Sequence, residues 1–144
     1  IDNLKNLFTN CIDPIISPGG IGSTNLQLLS VYRSKHLNKV LKGNPPNSEH
    51  IYGYAADFRI SGGNNAGLFN WCYNNLDFKN LMWAFPEKEK ESWIHISYIK
   101  DNNIKNTTLA SESDAYHNQY KGKRRGRNRL YQDNITEAIT PNII

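Results

Sequence analysis

The chain has 144 residues, of which 38% are hydrophobic and 21% are charged, and its formal net charge at pH 7 is +4. This length suits one domain with a single hydrophobic core, and the composition is typical of a soluble globular protein rather than a disordered chain. No apolar run approaches the roughly 20 residues that a membrane-spanning helix needs, so we predict no membrane span.

The N-terminal segment predicts a helix, a loop and a strand. Apolar residues from Leu4 to Cys11 recur at helical spacing and indicate a short helix, which we expect Pro14 to end. Glycine-rich residues mark the loop that follows, and residues 26–32 are typical of a strand. The two cysteines, Cys11 and Cys72, lack the spacing of metal ligands, so we predict buried, reduced thiols in a reducing compartment.

The middle of the chain predicts alternating helices and strands. Ser34 is a suitable N-cap for a helix that ends near Gly43. Aromatic and aliphatic residues flank the charged stretch 86–91 on both sides, and this pattern indicates an antiparallel hairpin. In total, we predict strands near residues 26–32, 54–60, 81–85 and 93–99, and helices near residues 34–42 and 64–76.

These elements predict an α+β fold, in which a small antiparallel sheet has helices packed on one face. After Asn102 the sequence is polar, rich in asparagine and only weakly periodic. We therefore expect a compact domain over residues 1–110. A polar, basic C-terminal arm over residues 111–144 follows it or forms part of the same domain.

Two histidines and one aspartate, His50, Asp57 and His95, stand among small and β-forming residues. Because alternate residues of a strand share a face, Asp57 and His95 each point away from their apolar neighbours. Gly53 allows the backbone to turn between His50 and Asp57. Two imidazoles and one carboxylate suit a catalytic zinc, which takes three protein ligands and leaves a fourth position for water.

The same residues also allow an interpretation without a metal. His50 can be a surface loop residue, Asp57 a turn or salt-bridge residue, and His95 a core histidine with a hydrogen-bond partner. The other two histidines, His36 and His117, lie in polar surroundings, and we expect both to be exposed to solvent.

A resemblance to a known family favours the metal. The stretches that carry it are Ser30-Val31-Tyr32-Arg33-Ser34, Leu37-Asn38, Ser48-Glu49-His50-Ile51-Tyr52-Gly53-Tyr54-Ala55-Ala56-Asp57 and Trp93-Ile94-His95-Ile96-Ser97. Over residues 20–105 the chain resembles the D-Ala-D-Ala carboxypeptidase-like zinc peptidases, which include phage endolysin-like enzymes of peptidoglycan. The seven-residue step from His50 to Asp57, with glycine and alanine inside it, is the specific part of the match.

The resemblance implies a catalytic Zn²⁺ held by His50, Asp57 and His95 on one face of the sheet, with a hydrolytic water in the open fourth position. Zinc would lower the pKa of that water to about 7 and polarise the scissile carbonyl. The implied substrate is bacterial peptidoglycan, whose stem peptides the enzyme would cut as a carboxypeptidase or an endopeptidase. We expect a phage endolysin.

Three more residues match positions around the family's site. Arg33 matches an arginine that binds carboxylate or carbonyl oxygens of the substrate, a role that suits its planar guanidinium, although a surface arginine fits there too. Ser48 matches a residue that lines the site, or else it caps a turn. Tyr32 is expected to wall the cleft or to pack in the core.

The sequence departs from the family at the general base, which is usually a glutamate and contributes typically 10²–10⁴-fold to the rate. Some members carry this glutamate three residues before the third ligand, and Ser92 occupies that position here. In the endolysin-like relatives a segment such as L-I-W-E-F precedes the third ligand. Ala84 stands where that glutamate is expected.

Three interpretations of Ala84 stay open. It can be an engineered inactivation, or a natural substitution that leaves a zinc-binding relative with little activity. Alternatively Glu87, Glu89 or Glu91 folds back to act as the base, although these residues also fit a solvated, charged hairpin tip.

The segment Lys121–Arg129 carries six positive charges and no negative one, so the basic character of the chain is local. This segment can bind an anionic polymer of the bacterial envelope, or it is a solvated tail. Two rival functions also stay open. One is a catalytically silent, zinc-containing module that binds the cell wall or builds a virion. The other is a nucleic-acid-binding protein that uses residues 121–131.

The sequence also gives an expectation about location. No signal peptide is visible near the N-terminus. We therefore expect the protein in the cytoplasm of a host bacterium before its release to the cell wall, or else in a virion.

Overall fold

The computed structural model describes residues 1–22, 25–41, 46–88 and 90–110. The described chain forms several short helices, one longer helix and five strands. The helical elements are α1 (Asp2–Leu7), a π-helical turn (Phe8–Ile12), α2 (Asp13–Ile16), α3 (Lys35–Val40), a 3₁₀ turn (Glu49–Tyr52) and α4 (Asn65–Asn75). The strands are β1 (Leu26–Ser30), β2 (Ala55–Ile60), β3 (Asn80–Ala84), β4 (Trp93–Ser97) and β5 (Asn106–Ala110).

The five strands form one sheet in the order β1-β2-β4-β3-β5. Neighbouring strands are antiparallel except β3 and β5, which are parallel. The sheet and the helices confirm the predicted α+β fold, and β3 with β4 forms the predicted hairpin. The register places Asp57 on one side of His95 and Met82 on the other.

The apolar core lies on one face of this sheet. Phe58, Leu81 and Ile94, from three neighbouring strands, are buried there. Helix α4 packs against β2, β3 and β4, and α1 packs against β2. Since alternate residues of a strand point to opposite faces, Asp57 and His95 lie on the face away from this core. The sequence pattern predicts the same division.

The N-terminal helical segment continues past Pro14 to Ile16, so the prediction that Pro14 ends it is wrong. Pro14 lies in the first turn of α2. Proline is tolerated in the first turn of a helix, and here α2 begins directly after the π-helical turn. Cys11 and Ile15 are fully buried on this segment, which therefore contributes to the core along its whole length.

Helix α3 differs from the predicted second helix in what it buries. Ser34 is its N-cap, as predicted, and the hydroxyl oxygen accepts a hydrogen bond from the backbone N–H of Leu37 at 3.1 Å. Leu37 and Val40 are exposed, whereas Asn38 is buried. With six residues, α3 is too short to present a continuous apolar face. It holds Arg33 through Asn38 instead of covering the core.

Strand β5 is missing from the sequence prediction. It pairs with β3 and buries Thr107 and Thr108. Threonine favours strands, but a short polar run carries none of the apolar alternation that marks a half-buried strand.

Several smaller predictions can be compared with the described residues. His36 is exposed, and both Cys11 and Cys72 are buried free thiols, as predicted. Burial raises the pKa of Cys11 to about 12, which keeps this thiol unreactive at neutral pH. Among the described helices, none is long and apolar enough to cross a membrane. Gly43, Glu89, His117 and the predicted arm 111–144 with Lys121–Arg129 lie outside the described residues.

The core assignment predicts different effects for one substitution at two sites. Leu81 is 1% exposed and Leu37 is 45% exposed. We expect Leu81→Ala to lower the free energy of unfolding by about 2–5 kcal/mol, because it removes packed methyl groups and leaves a cavity. Leu37→Ala should change it by less than about 1 kcal/mol. Urea unfolding of both variants measures the difference, and equal losses would contradict the assignment.

Candidate metal centre

A short turn before β2 positions His50. Ser48 is the N-cap of the 3₁₀ turn, and its hydroxyl oxygen accepts a hydrogen bond from the backbone N–H of His50 at 3.3 Å. Gly53 ends the turn in the left-handed region with φ 76°, where a side chain would be strained and would approach Leu4 closely. The chain then enters β2 two residues later, which brings His50 close to Asp57.

Asp57 contacts both histidines. One carboxylate oxygen, Oδ2, lies 3.2 Å from Nε2 of His50, and the other, Oδ1, lies 2.8 Å from Nδ1 of His95. The two imidazole rings are 5.2 Å apart at their centroids and meet edge to face. One ligand atom from each of the three residues lies within 4.8 Å of the other two. In the described part of the chain, this is the group of histidine, cysteine and acidic side chains that could hold a metal ion.

Hydrogen bonds fix the orientation of both rings. Nδ1 of His50 lies 2.7 Å from the backbone carbonyl oxygen of Val31, so Nδ1 carries a hydrogen and donates it to that oxygen, while Nε2 is turned toward Asp57. Nε2 of His95 lies 3.3 Å from Oε1 of Glu49, while Nδ1 faces Asp57. Two imidazole nitrogens and a carboxylate that converge in this way can hold a cation between them. The donor set therefore fits a divalent metal such as zinc.

The carboxylates and His95 influence one another's protonation. Burial favours the neutral form of Asp57, but hydrogen bonds from His50 and His95 outweigh it and hold the pKa of Asp57 well below its usual range. Burial likewise opposes charge on His95, but hydrogen bonds to Asp57 and Glu49 outweigh it and raise the pKa of His95 to about 9. In the metal-free protein, His95 is therefore a cation at neutral pH.

Arg33 lies beside this group. Its backbone N–H donates to the carbonyl oxygen of His50 at 3.1 Å. Arg33 as a whole is 9% exposed, and its guanidinium donates to Oδ1 of Asn38 at 3.0 Å and to Oγ of Ser30 at 3.4 Å. It is thus a fixed and buried arginine, and the interpretation of Arg33 as a surface side chain is wrong.

The other two residues matched near the site have different surroundings. Tyr32 is 60% exposed, so its alternative position in the core is wrong. Ser48 caps the turn that carries His50, which is the second of its two predicted roles.

Ala84, which stands where the resemblance leads us to expect the general base, is fully buried at the end of β3. Ala84 lies two residues from Met82, the neighbour of His95, and therefore on the same face of the sheet. Ser92 is buried and accepts a hydrogen bond from Asn65 at 2.8 Å. Glu91 is exposed on the β3–β4 connection, where it pairs with Lys88 at 3.8 Å. Neither residue is brought to the histidine–aspartate group.

Glu49 is the residue near the group that the sequence analysis does not single out. Its carboxylate contacts His95, and it also accepts hydrogen bonds from Nδ2 of Asn80, which is 3.1 Å from each of its oxygens. Lys79 lies 3.3 Å from the same carboxylate. Burial by itself would raise the pKa of Glu49, but the hydrogen bonds from His95 and Asn80 outweigh it and lower the pKa to about 2. The only signal in the sequence is its position next to His50.

The raised pKa of His95 predicts that metal affinity increases with pH. Below about pH 9 a metal must displace the proton of His95, so the apparent association constant for zinc should rise about tenfold per pH unit for each displaced proton. Competition with a coloured chelator at pH 6.5, 7.5 and 8.5 measures this slope. His36→Ala, which changes an exposed histidine, is the control and should keep the same slope. A pH-independent affinity would contradict the assignment.

Comparison with known proteins adds an independent finding. The family described as peptidase M15 matches residues 21–97, which is more than half of the chain. The matched span contains His50, Asp57 and His95 as well as Arg33 and Ala84. No curated protein and no solved structure matches the chain at a significant level. The match shows that the chain belongs to the peptidase M15 family, the D-Ala-D-Ala carboxypeptidase-like zinc peptidases.

Proposed function

We propose that the chain is a zinc-dependent hydrolase of peptide bonds in the stem peptides of bacterial peptidoglycan and that it serves as a phage endolysin. The observation that carries the proposal is the convergence of Nε2 of His50, the carboxylate of Asp57 and Nδ1 of His95, within a span matched by a peptidase family. Buried polar groups are costly unless they are compensated, and a bound metal would compensate these three.

In this proposal His50, Asp57 and His95 hold the zinc. Three protein ligands leave a position open, which is the feature that separates catalytic from structural zinc sites. Zinc bound there would make water nucleophilic near neutral pH and polarise the scissile carbonyl. The sheet contributes rigidity, since Asp57 and His95 are paired residues of adjacent strands.

Arg33 is proposed to bind a carboxylate or carbonyl oxygen of the substrate. Its guanidinium is already fixed by Asn38 and Ser30, and its backbone is bonded to that of His50. A fixed fork of donors loses little freedom when it binds an oxyanion. Tyr32 precedes it in the chain and is exposed enough to wall the cleft. Ser48 contributes by shaping the turn that holds His50.

Position 84 is proposed as the place of the missing general base. It lies on the same face as His95 and about 7 Å along β3 from Met82, the residue paired with His95. The side chain of a glutamate there could extend toward the metal position. The proposal therefore includes low activity of the chain that carries Ala84, whether the alanine is natural or engineered.

The rival proposal, a catalytically silent zinc module that binds the cell wall or builds a virion, is favoured by the same Ala84. It shares the metal centre and differs only in turnover. Binding of an anionic envelope polymer through Lys121–Arg129 and residence in a host cytoplasm before release stay predictions from the sequence.

A peptidoglycan digest separates these proposals. We expect Ala84→Glu to raise the initial rate of bond cleavage by about 10²–10⁴-fold over the parent chain, because it supplies a general base. Ala84→Gln introduces a side chain of nearly the same size as glutamate but without a base, so this variant should cleave at the parent rate. Mass spectrometry of the released fragments measures the rate and identifies the bond.

The outcomes have distinct meanings. Equal cleavage by all three proteins would contradict position 84 as the base site. Cleavage that survives His95→Ala would contradict zinc catalysis at this centre. If neither the parent nor Ala84→Glu cuts any wall tested while both bind zinc, the silent-module proposal replaces the enzymatic one.

A further inference from the structure

We infer that Glu49 is a positioning residue for His95. Its carboxylate accepts a hydrogen bond from the Nε2–H of His95, so that Nδ1 of the same ring stays turned toward Asp57 and the metal position. This inference rests on the proposed metal centre and adds a residue to it. Glu49 touches neither His50 nor Asp57 through its carboxylate in the described contacts, and it acts through the ring of His95.

The geometry places Glu49 and Asp57 on opposite nitrogens of one imidazole. Oδ1 of Asp57 lies 2.8 Å from Nδ1 of His95, and Oε1 of Glu49 lies 3.3 Å from Nε2. The imidazole ring therefore stands between Glu49 and the point where the three ligand atoms converge. Glu49 cannot bind the same ion without displacing His95, which leaves it the role of an acceptor.

Neighbouring strands hold the carboxylate of Glu49 in place. Asn80, at the start of β3, donates through Nδ2 to both oxygens at 3.1 Å. Asn80 is fixed in turn, because its Oδ1 accepts a hydrogen bond from Asn106 of β5 at 2.9 Å. Lys79 adds an ion pair at 3.3 Å. The carboxylate is only 20% exposed, so it has little freedom to turn away from His95.

The chemistry of the two histidines gives this contact a purpose. A metal-binding histidine commonly donates its second N–H to a carboxylate or a backbone carbonyl, which fixes the tautomer and raises the basicity of the ligand nitrogen. His50 has the carbonyl of Val31 in this place, at 2.7 Å. Glu49 is the equivalent for His95. One partner is backbone and the other is a side chain, so only the second can be removed by substitution.

A purely structural role would rest on the ion pair with Lys79 and on the hydrogen bonds from Asn80, and substitutions can separate it from the positioning role. Glu49→Ala removes the acceptor, and Glu49→Gln keeps one carbonyl oxygen that can accept from Nε2. Lys79→Met removes the ion pair and leaves Glu49 beside His95. Glu91→Ala is the matched control, because Glu91 also pairs with a lysine but lies 65% exposed on the β3–β4 connection.

The experiment measures zinc affinity of these variants by chelator competition at pH 7.5, with melting temperature of the metal-free proteins as the check on folding. We expect Glu49→Ala to weaken zinc binding about 10–100-fold. Glu49→Gln should recover part of that loss. Glu91→Ala should change affinity by no more than about fivefold, the usual limit for an exposed ion pair. Lys79→Met should stay within the same range, because Glu49 keeps its contacts with His95 and Asn80.

Nitrogen-15 spectra of the zinc-loaded proteins supply a readout that a structural role would not move. The parent should show His95 with Nε2 protonated and Nδ1 bound to the metal, and Glu49→Ala should show a second form of the ring. The inference would be overturned if Glu49→Ala bound zinc as tightly as the parent and kept the His95 signal unchanged. It would also be overturned if Lys79→Met lost as much zinc affinity as Glu49→Ala. A parent chain that binds no zinc would instead overturn the metal centre, and the role of Glu49 with it.

Discussion

The carboxylate of Asp57 lies between two imidazole rings, and much of the structure serves to keep it there. Its two oxygens contact His50 and His95 at 3.2 and 2.8 Å, and all three side chains are largely removed from water. A buried carboxylate is unfavourable unless hydrogen bonds or a positive charge compensate it. Hydrogen bonds from His50 and His95 compensate Asp57 in the metal-free protein. A metal bound at this point would couple its own binding to the stability of this region.

The sheet gives the centre its precision. Asp57 and His95 are directly paired across β2 and β4, so their separation is set by backbone hydrogen bonds rather than by flexible side chains. Phe58 and Ile94, the next residues along each strand, are fully buried in the core on the opposite face. A slip of one residue would expose this core and bury Asp57 in it, so packing on one face fixes the geometry on the other.

Local sequence patterns predict the arrangement of His50, Asp57 and His95 better than they predict the rest of the fold. The alternation around Asp57 and around His95 predicts which face each occupies, and the step from His50 to Asp57 with Gly53 inside it predicts the turn. Strand β5 escapes prediction because its polar Thr107 and Thr108 are buried by pairing with β3, a contact between distant segments. The position of Glu49 beside His95 is not predicted from the sequence for a similar reason. Its contacts with His95 and Asn80 join residues that are 46 and 31 positions away, and spacing along the chain says nothing about them.

Zinc binding by Asp57 and its two histidines is measured most directly by the melting temperature, with and without zinc, of the parent chain and of Asp57→Asn. A ligand that binds only the native state stabilises it by an amount that grows with the logarithm of its affinity. Stoichiometric zinc should raise the melting temperature of the parent and leave that of Asp57→Asn almost unchanged. An equal rise in both proteins, or no rise in either, would contradict zinc binding at this site.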